Sequence, residues 1–579
     1  MIRVLLFLAV FCFAAAGSAA TSPADAGLAS GSPSATSPAN APTPPAGKEV
    51  FELPGAARAE TALDKLVFSK FAGLGIQPSL CSDSVFVRRA FLDVIGTLPT
   101  ADEARAFIRD TDKNKRQILI EKLLARDEFA DYWAMRWGDV LRIKAEFPVN
   151  LWPNAAQAYH RWVHASITEN KPYDQFVREM LTSSGSNFRV GPVNFYRAIQ
   201  SRTPEGIASA VALTFMGART DTWPPDRVTG MAAFFSQIGY KPTREWKEEN
   251  VFWDPLATSS LDAEGNPKQP TNVAPPPPKP GQPVQPPQPE LPKPTAPLDG
   301  MFPDGTKAKL SLDEDPRETF ANWLITSKNP WFTKCIANRV WAWVMGRGII
   351  HEPDDIRKDN PPSNPELLAY LEKELVSSKY DLKKFYRLIL NSAAYQLSAV
   401  PKSASPKIEQ NFAIYNMRRL DAEVLIDAIN KITGTTELYT SAIPEPFTYI
   451  PSDKPAIAIA DGSITSPFLT LFGRTARATG MENERINKVM PSQWLYLLNS
   501  SFIQKKIEQG PKLKAIFDAR LKPEQTVDEL YLTILSRFPT AEEVKDIDSY
   551  GKAGASKRRE DWMDVIWSLI NSSEFLFRH

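Results

Sequence analysis

Apolar residues recur at helical spacing in two long blocks of this chain, separated by a proline-rich stretch that carries no such stripe. Early in the first block, Leu63, Leu66, Val67 and Phe71 fall on one face and leave Asp64, Lys65 and Lys70 to water, the pattern of an amphipathic helix. The same reading predicts helices over 85–95, 117–125, 129–140, 155–169, 172–181 and 204–216. The second block opens at Asp315-Pro316-Arg317-Glu318, with proline at the first helical position. A helix over 332–345 is closed by Gly346, and Asn364-Pro365-Glu366 starts another whose buried stripe is Leu367, Leu368, Leu371 and Leu375. Further helices are expected over 382–394, 420–432, 491–507, 527–536, 540–549 and 561–571. Residues 435–480 read as irregular because Pro, Gly, Ser and Thr interrupt every run. The fold class is therefore mainly α: two helical domains, over 48–254 and 311–579, joined by a proline-rich tether over 255–310.

The two ends of the chain echo each other. Leu98-Pro99-Thr100-Ala101-Asp102-Glu103 matches Phe538-Pro539-Thr540-Ala541-Glu542-Glu543. Each holds the Thr-x-x-Glu of a capping box, in which hydroxyl and carboxylate satisfy free backbone donors at a helix start. The endings Arg126-Asp127-Glu128-Phe129 and Ser572-Ser573-Glu574-Phe575 correspond as well. This suggests a pair of similar helical hairpins.

Composition narrows the setting. Hydrophobic residues make up 43% and charged residues 23% of 579, with a net charge of +1, so no global field recruits nucleic acid or an anionic membrane. The N-terminus reads as a signal peptide over 1–20: Arg3, an uncharged run from Val4 to Ala16, then Gly17-Ser18-Ala19-Ala20. The run is shorter than the ~20 residues of a membrane span, and no other run is long enough, so no transmembrane span is expected after cleavage. An Ala/Ser/Pro-rich spacer follows over 21–47. The protein is expected to be exported, to the periplasm, the cell surface or the medium. Beyond the signal, only Cys81 and Cys335 remain; export permits a disulfide between them, but two buried free thiols are the plainer reading. The polyproline II core of the tether is a spacer by default.

Several segments carry a resemblance. They are Val87-Arg88-Arg89-Ala90-Phe91-Leu92-Asp93, Tyr132-Trp133-Ala134-Met135-Arg136-Trp137, Asn170-Lys171-Pro172-Tyr173-Asp174-Gln175-Phe176, Asn338-Arg339-Val340-Trp341, Arg418-Arg419-Leu420 and the ending Ser573-Glu574-Phe575-Leu576-Phe577-Arg578-His579. With these the chain resembles the exported planctomycete and verrucomicrobial-type proteins that pair two domains of unknown function, the PSCyt/PSD type. The resemblance implies no established activity. Where many such proteins carry Cys-x-x-Cys-His, this chain has Thr220-Asp221-Thr222-Trp223-Pro224-Pro225-Asp226-Arg227; a second segment, usually rich in Cys and Glu, reads Gly480-Met481-Glu482-Asn483-Glu484-Arg485. Covalent haem needs two thiols and an imidazole, so no haem is expected here, and no other cofactor is implied.

Few residues remain that could carry chemistry. His160 and His164 lie four apart on a predicted helix and are weak metal candidates; no Glu stands between them as in the metalloprotease signature, and packing histidines are the plainer reading. His351, Asp354 and Asp355 form an acidic cluster suited to acid–base work or calcium, with Arg339, Arg357 and Asn360 as binding candidates nearby. Adjacent carboxylates point different ways, which weakens that case. Arg474, Arg477 and Arg485 could bind an anion, or pair with Glu482 and Glu484. No phosphate loop, dinucleotide fingerprint or nucleophile elbow occurs. The sequence favours a non-enzymatic binding or scaffold component of an envelope or extracellular assembly, with a protein or polysaccharide as partner. A hydrolase or calcium-dependent enzyme acting on a polymer through the acidic cluster is the alternative, and electron transfer a more distant one.

Overall fold

The computed structural model describes residues 48–256 and 300–579, apart from 312, 402–404, 451 and 554–557. The segments read as a signal peptide, as a spacer and as the proline-rich core of a tether lie outside the described residues. Helices of seven residues or more in the first region are α1 Ala62–Phe68, α2 Asp83–Val94, α3 Ala101–Arg109, α4 Lys115–Leu124, α5 Asp127–Val140, α6 Pro153–Thr168, α7 Tyr173–Thr182, α8 Pro204–Val211 and α9 Pro225–Ala232. The second region holds α10 Pro316–Leu324, α11 Phe332–Met345, α12 Pro365–Ser377, α13 Leu382–Leu390, α14 Ala422–Thr433, α15 Pro491–Asn499, α16 Ser501–Gln509, α17 Pro511–Asp518, α18 Pro523–Leu535, α19 Ala541–Ala553 and α20 Arg558–Ile570.

Local chemistry accounts for most boundaries. Asp315 caps α10 by accepting from the Arg317 N–H, and Asn364 caps α12 by accepting from the Leu367 N–H. Gly346 ends α11 in the left-handed region at φ 79°, a conformation that costs a Cβ-bearing residue more. The helix expected over 491–507 is two helices: Ser500 is extended, ends α15 and accepts from the Ile503 N–H to start α16, because a serine hydroxyl competes well for a free helix-start donor. The helix expected over 204–216 changes to a wider π-type turn over Ala212–Met216, closed by Gly217 at φ 58°.

The first region also holds a small sheet that periodicity did not reveal. Strands β1 Gly185–Ser186, β2 Ile238–Pro242 and β3 Glu249–Trp253 form an antiparallel sheet in the order β1-β3-β2. Its residues are mostly half-buried and do not alternate cleanly, so they lack the period-two signal. Residues 300–310, prolonging the tether by composition, pack back onto the first region: the Met301 N–H donates to Gly230, and Phe302 stacks on Phe234 at 4.8 Å.

The two regions share one apolar core within a single compact unit, Ala46–His579. Trp133 of α5 meets Tyr386 of α13 at 4.3 Å, and Trp137 meets Trp343 of α11 at 5.4 Å. A second sheet, β4 Arg418–Arg419 with β5 Phe577–Arg578, ties the final residues to the segment before α14. Cys81 and Cys335 are both buried and unpaired.

The echo between the ends is structural. Gly96 after α2 and Ser536 after α18 both adopt left-handed backbone, at φ 63° and 61°. The Thr100–Glu103 and Thr540–Glu543 boxes both close reciprocally. An arginine then joins the equivalent glutamates in each copy: Arg126 binds Glu103 and Glu128, and Arg537 binds Glu543 and Glu574. The arginine comes from different positions in the two copies, so the hairpins share a capping scheme rather than every side chain.

Candidate functional site

Charged residues on the buried faces of helices require buried partners. Asp93 on α2 and Arg136 and Asp139 on α5 are such residues, and all three are buried. Asp93 accepts from Arg578 at 2.8 Å, Arg418 at 3.0 Å and the hydroxyls of Tyr415 and Tyr395 at 2.7 and 3.0 Å. Arg578 reaches on to Asp421 at the start of α14, 2.7 Å away, and Arg136 donates to the same oxygen at 3.1 Å. Asp139 accepts from Arg477 at 3.0 Å and Arg485 at 2.6 Å, and Arg485 also donates to Glu423 at 2.7 Å. The Arg474 side chain lies 3.2 Å from Glu423.

A second branch runs toward the acidic cluster. The Glu482 N–H donates to Asp354 at 2.6 Å, the Trp343 indole donates to Glu482 at 2.8 Å, and Arg136 lies 3.8 Å from Glu482. Arg339 on α11 donates to Asp354 at 2.7 Å and to the carbonyl of Thr214 at 2.6 Å. Its contact with Thr214 crosses between the two regions.

The electrostatics follow from this pairing. Burial alone would raise the Asp421 carboxyl, but Arg136, Arg578 and Arg485 outweigh it and hold the group well below the carboxylate range. Glu423 is depressed in the same way, against burial, by Arg485 and Arg474. Glu482 goes the other way: burial raises it, and Arg136 and Trp343 only partly offset this. Such a network is buried and closely ion-paired, which fits a structural joint better than a reacting centre.

The candidate residues fall into three places. Arg339, Asp354, Arg474, Arg477 and Arg485 are within the buried network. His351, Asp355, Arg357 and Asn360 lie on the adjoining surface loop: Arg357 pairs with Asp355 at 3.2 Å, Asn360 donates to the Asp355 carbonyl, and His351 sits 3.7 Å from Glu352. Asp354 faces inward and Asp355 outward, as expected of adjacent residues in a turn. Burial and the nearby Arg347 lower the His351 imidazole. His160 and His164 stand apart on α6 with rings 6.1 Å apart; His164 pairs with Asp131 at 3.2 Å. Burial, with Arg477 and His164, pushes His160 down to about 3. Among the described residues, no group of three or more His, Cys, Asp or Glu is placed to hold a metal ion.

Asp93, Arg136, Asp139, Asp421, Glu423, Arg418 and Arg578 escaped nomination from the sequence. The signal was present for several of them: Asp93, Arg136 and Asp139 stand beside large apolar residues of their helices, and Arg418 and Arg578 stand in segments that carry the resemblance. Arg88 and Arg89 behave alike, donating to the carbonyls of Ile534, Phe575, Tyr395, Leu397 and His579. The Thr220–Arg227 segment forms a short 3-10 turn followed by the start of α9, with Arg227 4.1 Å over the Trp223 ring.

Family comparison assigns both halves of this joint. Residues 62–224 match PSCyt2, a protein of unknown function (DUF1549), and residues 316–550 match PSD1, a protein of unknown function (DUF1553). The chain pairs a PSCyt2 domain with a PSD1 domain. Comparison with curated proteins and with solved structures gave no match. The buried network is the meeting of these two domains: Asp93, Arg136 and Asp139 come from PSCyt2, and Arg339, Asp354, Asp421, Glu423, Arg474, Arg477 and Arg485 from PSD1. No helix among the described residues is long and apolar enough to cross a membrane.

Proposed function

We propose that this protein is an exported, non-enzymatic binding or scaffold component of an envelope or extracellular assembly connected with polysaccharide use. The observation that carries the reading is the state of the charged residues. Arg339, Asp354, Asp139, Glu423 and Arg485 satisfy one another in the interior and weld the two domains, so they are not free to turn over a substrate. The surface offers contact chemistry in its place. Phe147, Phe447 and Tyr449 are 79%, 50% and 75% exposed on two loops. Glu146 fastens these loops together by accepting from the Ser441 hydroxyl and the Ala442 N–H, and Trp152 packs on Phe447 at 5.4 Å. Exposed aromatic groups held on a rigid base are characteristic of interaction surfaces.

The test is co-sedimentation of the mature protein with insoluble polysaccharides and with an envelope fraction, alongside assay of released reducing ends. The reading predicts retention weakened at least fivefold by Phe147→Ala with Tyr449→Ala, and no product release. Release of sugar ends abolished by Asp355→Ala would overturn it in favour of a hydrolase. Absence of retention on every fraction would also count against it.

A further inference from the structure

Helix α15 of PSD1 is built the wrong way round for a surface helix. Its inward positions are Gln493 and Leu497, both buried, while Leu495 and Leu498 face solvent and Trp494 lies half-buried beside them. A surface helix ordinarily turns its leucines to the core. Hydrogen bonds fix the inversion: the Gln493 amide donates to the Leu471 carbonyl at 3.0 Å, and its oxygen accepts the Met490 N–H at 3.1 Å. The segment leading into the helix adds Ile486, Val489 and Met490, and with the two leucines these are 37–59% exposed. The patch is continuous. Leu498 is a helical neighbour of both Leu495 and Trp494, and Trp494 lines one shallow recess with Val489 and Phe577.

Charge along this stretch has one dominant sign. From Ile486 to Arg520 the exposed cations are Lys488, Lys505, Lys512, Lys514 and Arg520, while the exposed carboxylates are Glu508 and Asp518. Lys506, the buried cation of α16, pairs with Glu437 at 3.7 Å. None of the exposed cations forms an ion pair among the described residues; Lys512 donates to the Lys431 carbonyl. Glu508 is engaged by the Gln504 amide at 2.8 Å. The whole chain carries only +1, so the excess here is local. Lys488 directly precedes Val489, and Lys505 follows Leu498 by two helical turns of sequence on α16.

We propose that α15 docks on the surface of an anionic lipid bilayer, with Met490, Trp494, Leu495 and Leu498 entering the headgroup boundary and Lys488 and Lys505 on the lipid phosphates. A helix lying in a membrane interface joins an apolar face of Trp and Leu to flanking lysines, and each lysine near an anionic surface adds attraction. The Trp494 indole N–H has no hydrogen bond among the described residues, which suits a ring at headgroup level. The helix has nine residues, too few to cross a bilayer, so the contact is peripheral. Two other occupants fit less well. A second copy would bring one set of unpaired lysines against another, and like charges oppose association. Protein interfaces are depleted in lysine and their strongest contacts in Leu and Val, the residues that make up much of this face and its border. The inference rests on different residues from the scaffold reading and stands or falls separately.

The test is flotation of the mature protein with vesicles of phosphatidylcholine alone and of phosphatidylcholine mixed equally with phosphatidylglycerol. Binding to the anionic vesicles should exceed binding to the neutral ones at least tenfold. It should fall at least tenfold in Leu495→Ser with Leu498→Ser and at least fivefold in Lys488→Glu with Lys505→Glu, while Phe147→Ala with Tyr449→Ala leaves it unchanged. The replaced leucines and lysines are exposed, so unchanged melting temperatures will show that both variants are folded. Anionic vesicles with brominated acyl chains should quench part of the tryptophan emission, and that part should vanish in Trp494→Phe. No binding, equal binding to both vesicle types, binding indifferent to the leucine or the lysine pair, or binding without quenching of Trp494 would overturn the proposal. Self-association that the leucine variant abolishes, without vesicle binding, would overturn it in favour of a second copy.

Discussion

Asp427 on α14 is a buried carboxylate without an ion pair among the described residues. Its oxygens accept from the backbone N–H groups of Ala456 and Ile457, at 2.7 and 3.0 Å. Burial nevertheless pushes it up to about 7 from 3.8, with Glu423 and Glu437 adding to the rise. The folded protein therefore keeps a proton there that the unfolded chain has released, so this group's contribution to stability is fullest below pH 4 and falls as pH rises toward 7. The span corresponds to a loss on the order of 4 kcal/mol. Asp427→Asn removes the titrating group. Its melting temperature should lose that downward slope between pH 4 and 7, even though the amide, with one acceptor fewer, lowers stability at acid pH. An unchanged slope in the variant would show that other groups set it. Asp421 is the opposite case, a buried carboxylate held by Arg136 and Arg578. Asp421→Ala leaves those cations unpaired and should cost ~3–5 kcal/mol in a denaturant titration; a loss below about 1 kcal/mol would contradict this. At this scale the sequence was only partly informative. It nominated Asp354, Arg474, Arg477 and Arg485 for their chemistry, but it could not tell a carboxylate facing an arginine from one facing water. Asp354 and Asp355, adjacent in the chain, show how completely that depends on tertiary placement.

Among the elements, helices with strong caps were legible and strands were not. The reading placed α11 over 332–345 with Gly346 closing it, and Phe332–Met345 is its observed extent. β2 and β3 were missed because neither strand has a clean inside and outside. The paired hairpins allow a direct test of local backbone cost. Ser536 occupies the left-handed position that Gly96 fills in the other copy, and its buried hydroxyl has no partner among the described residues. Ser536→Gly removes both penalties and should stabilise the protein by ~1 kcal/mol, read as a raised denaturation midpoint at unchanged slope. At Gly96 the reverse change is forbidden, since a Cβ there would lie 2.4 Å from the Tyr132 ring. A destabilised Ser536→Gly variant would mean that packing around the serine matters more than its backbone.

At the scale of the whole molecule, composition suggested two domains on a tether, and the contacts make them interdependent. PSCyt2 contributes Asp93, Arg136 and Asp139 to the joint; the second region returns Asp421, Glu423, Arg485 and Arg578. Proline content sets two helical regions apart in the sequence, but the joint is not readable there, because its partners lie up to 485 residues apart. Cutting the chain at the tether leaves each fragment with buried charges of unmatched sign and with half of the Trp133–Tyr386 and Trp137–Trp343 packing exposed. The cost of an unpaired buried charge, ~3–5 kcal/mol for each broken pair, rivals the whole stability of a typical domain, about 5–15 kcal/mol. Residues 48–256 and 300–579 made separately should therefore lack cooperative unfolding and near-ultraviolet dichroism, and should recover both when mixed. If the tether is only a spacer, the mixed fragments will match the intact protein at high concentration and melt earlier on dilution, because covalent linkage supplies effective concentration and no contact of its own. Independent cooperative folding of either fragment would show that the charged network joins two finished domains rather than completing them.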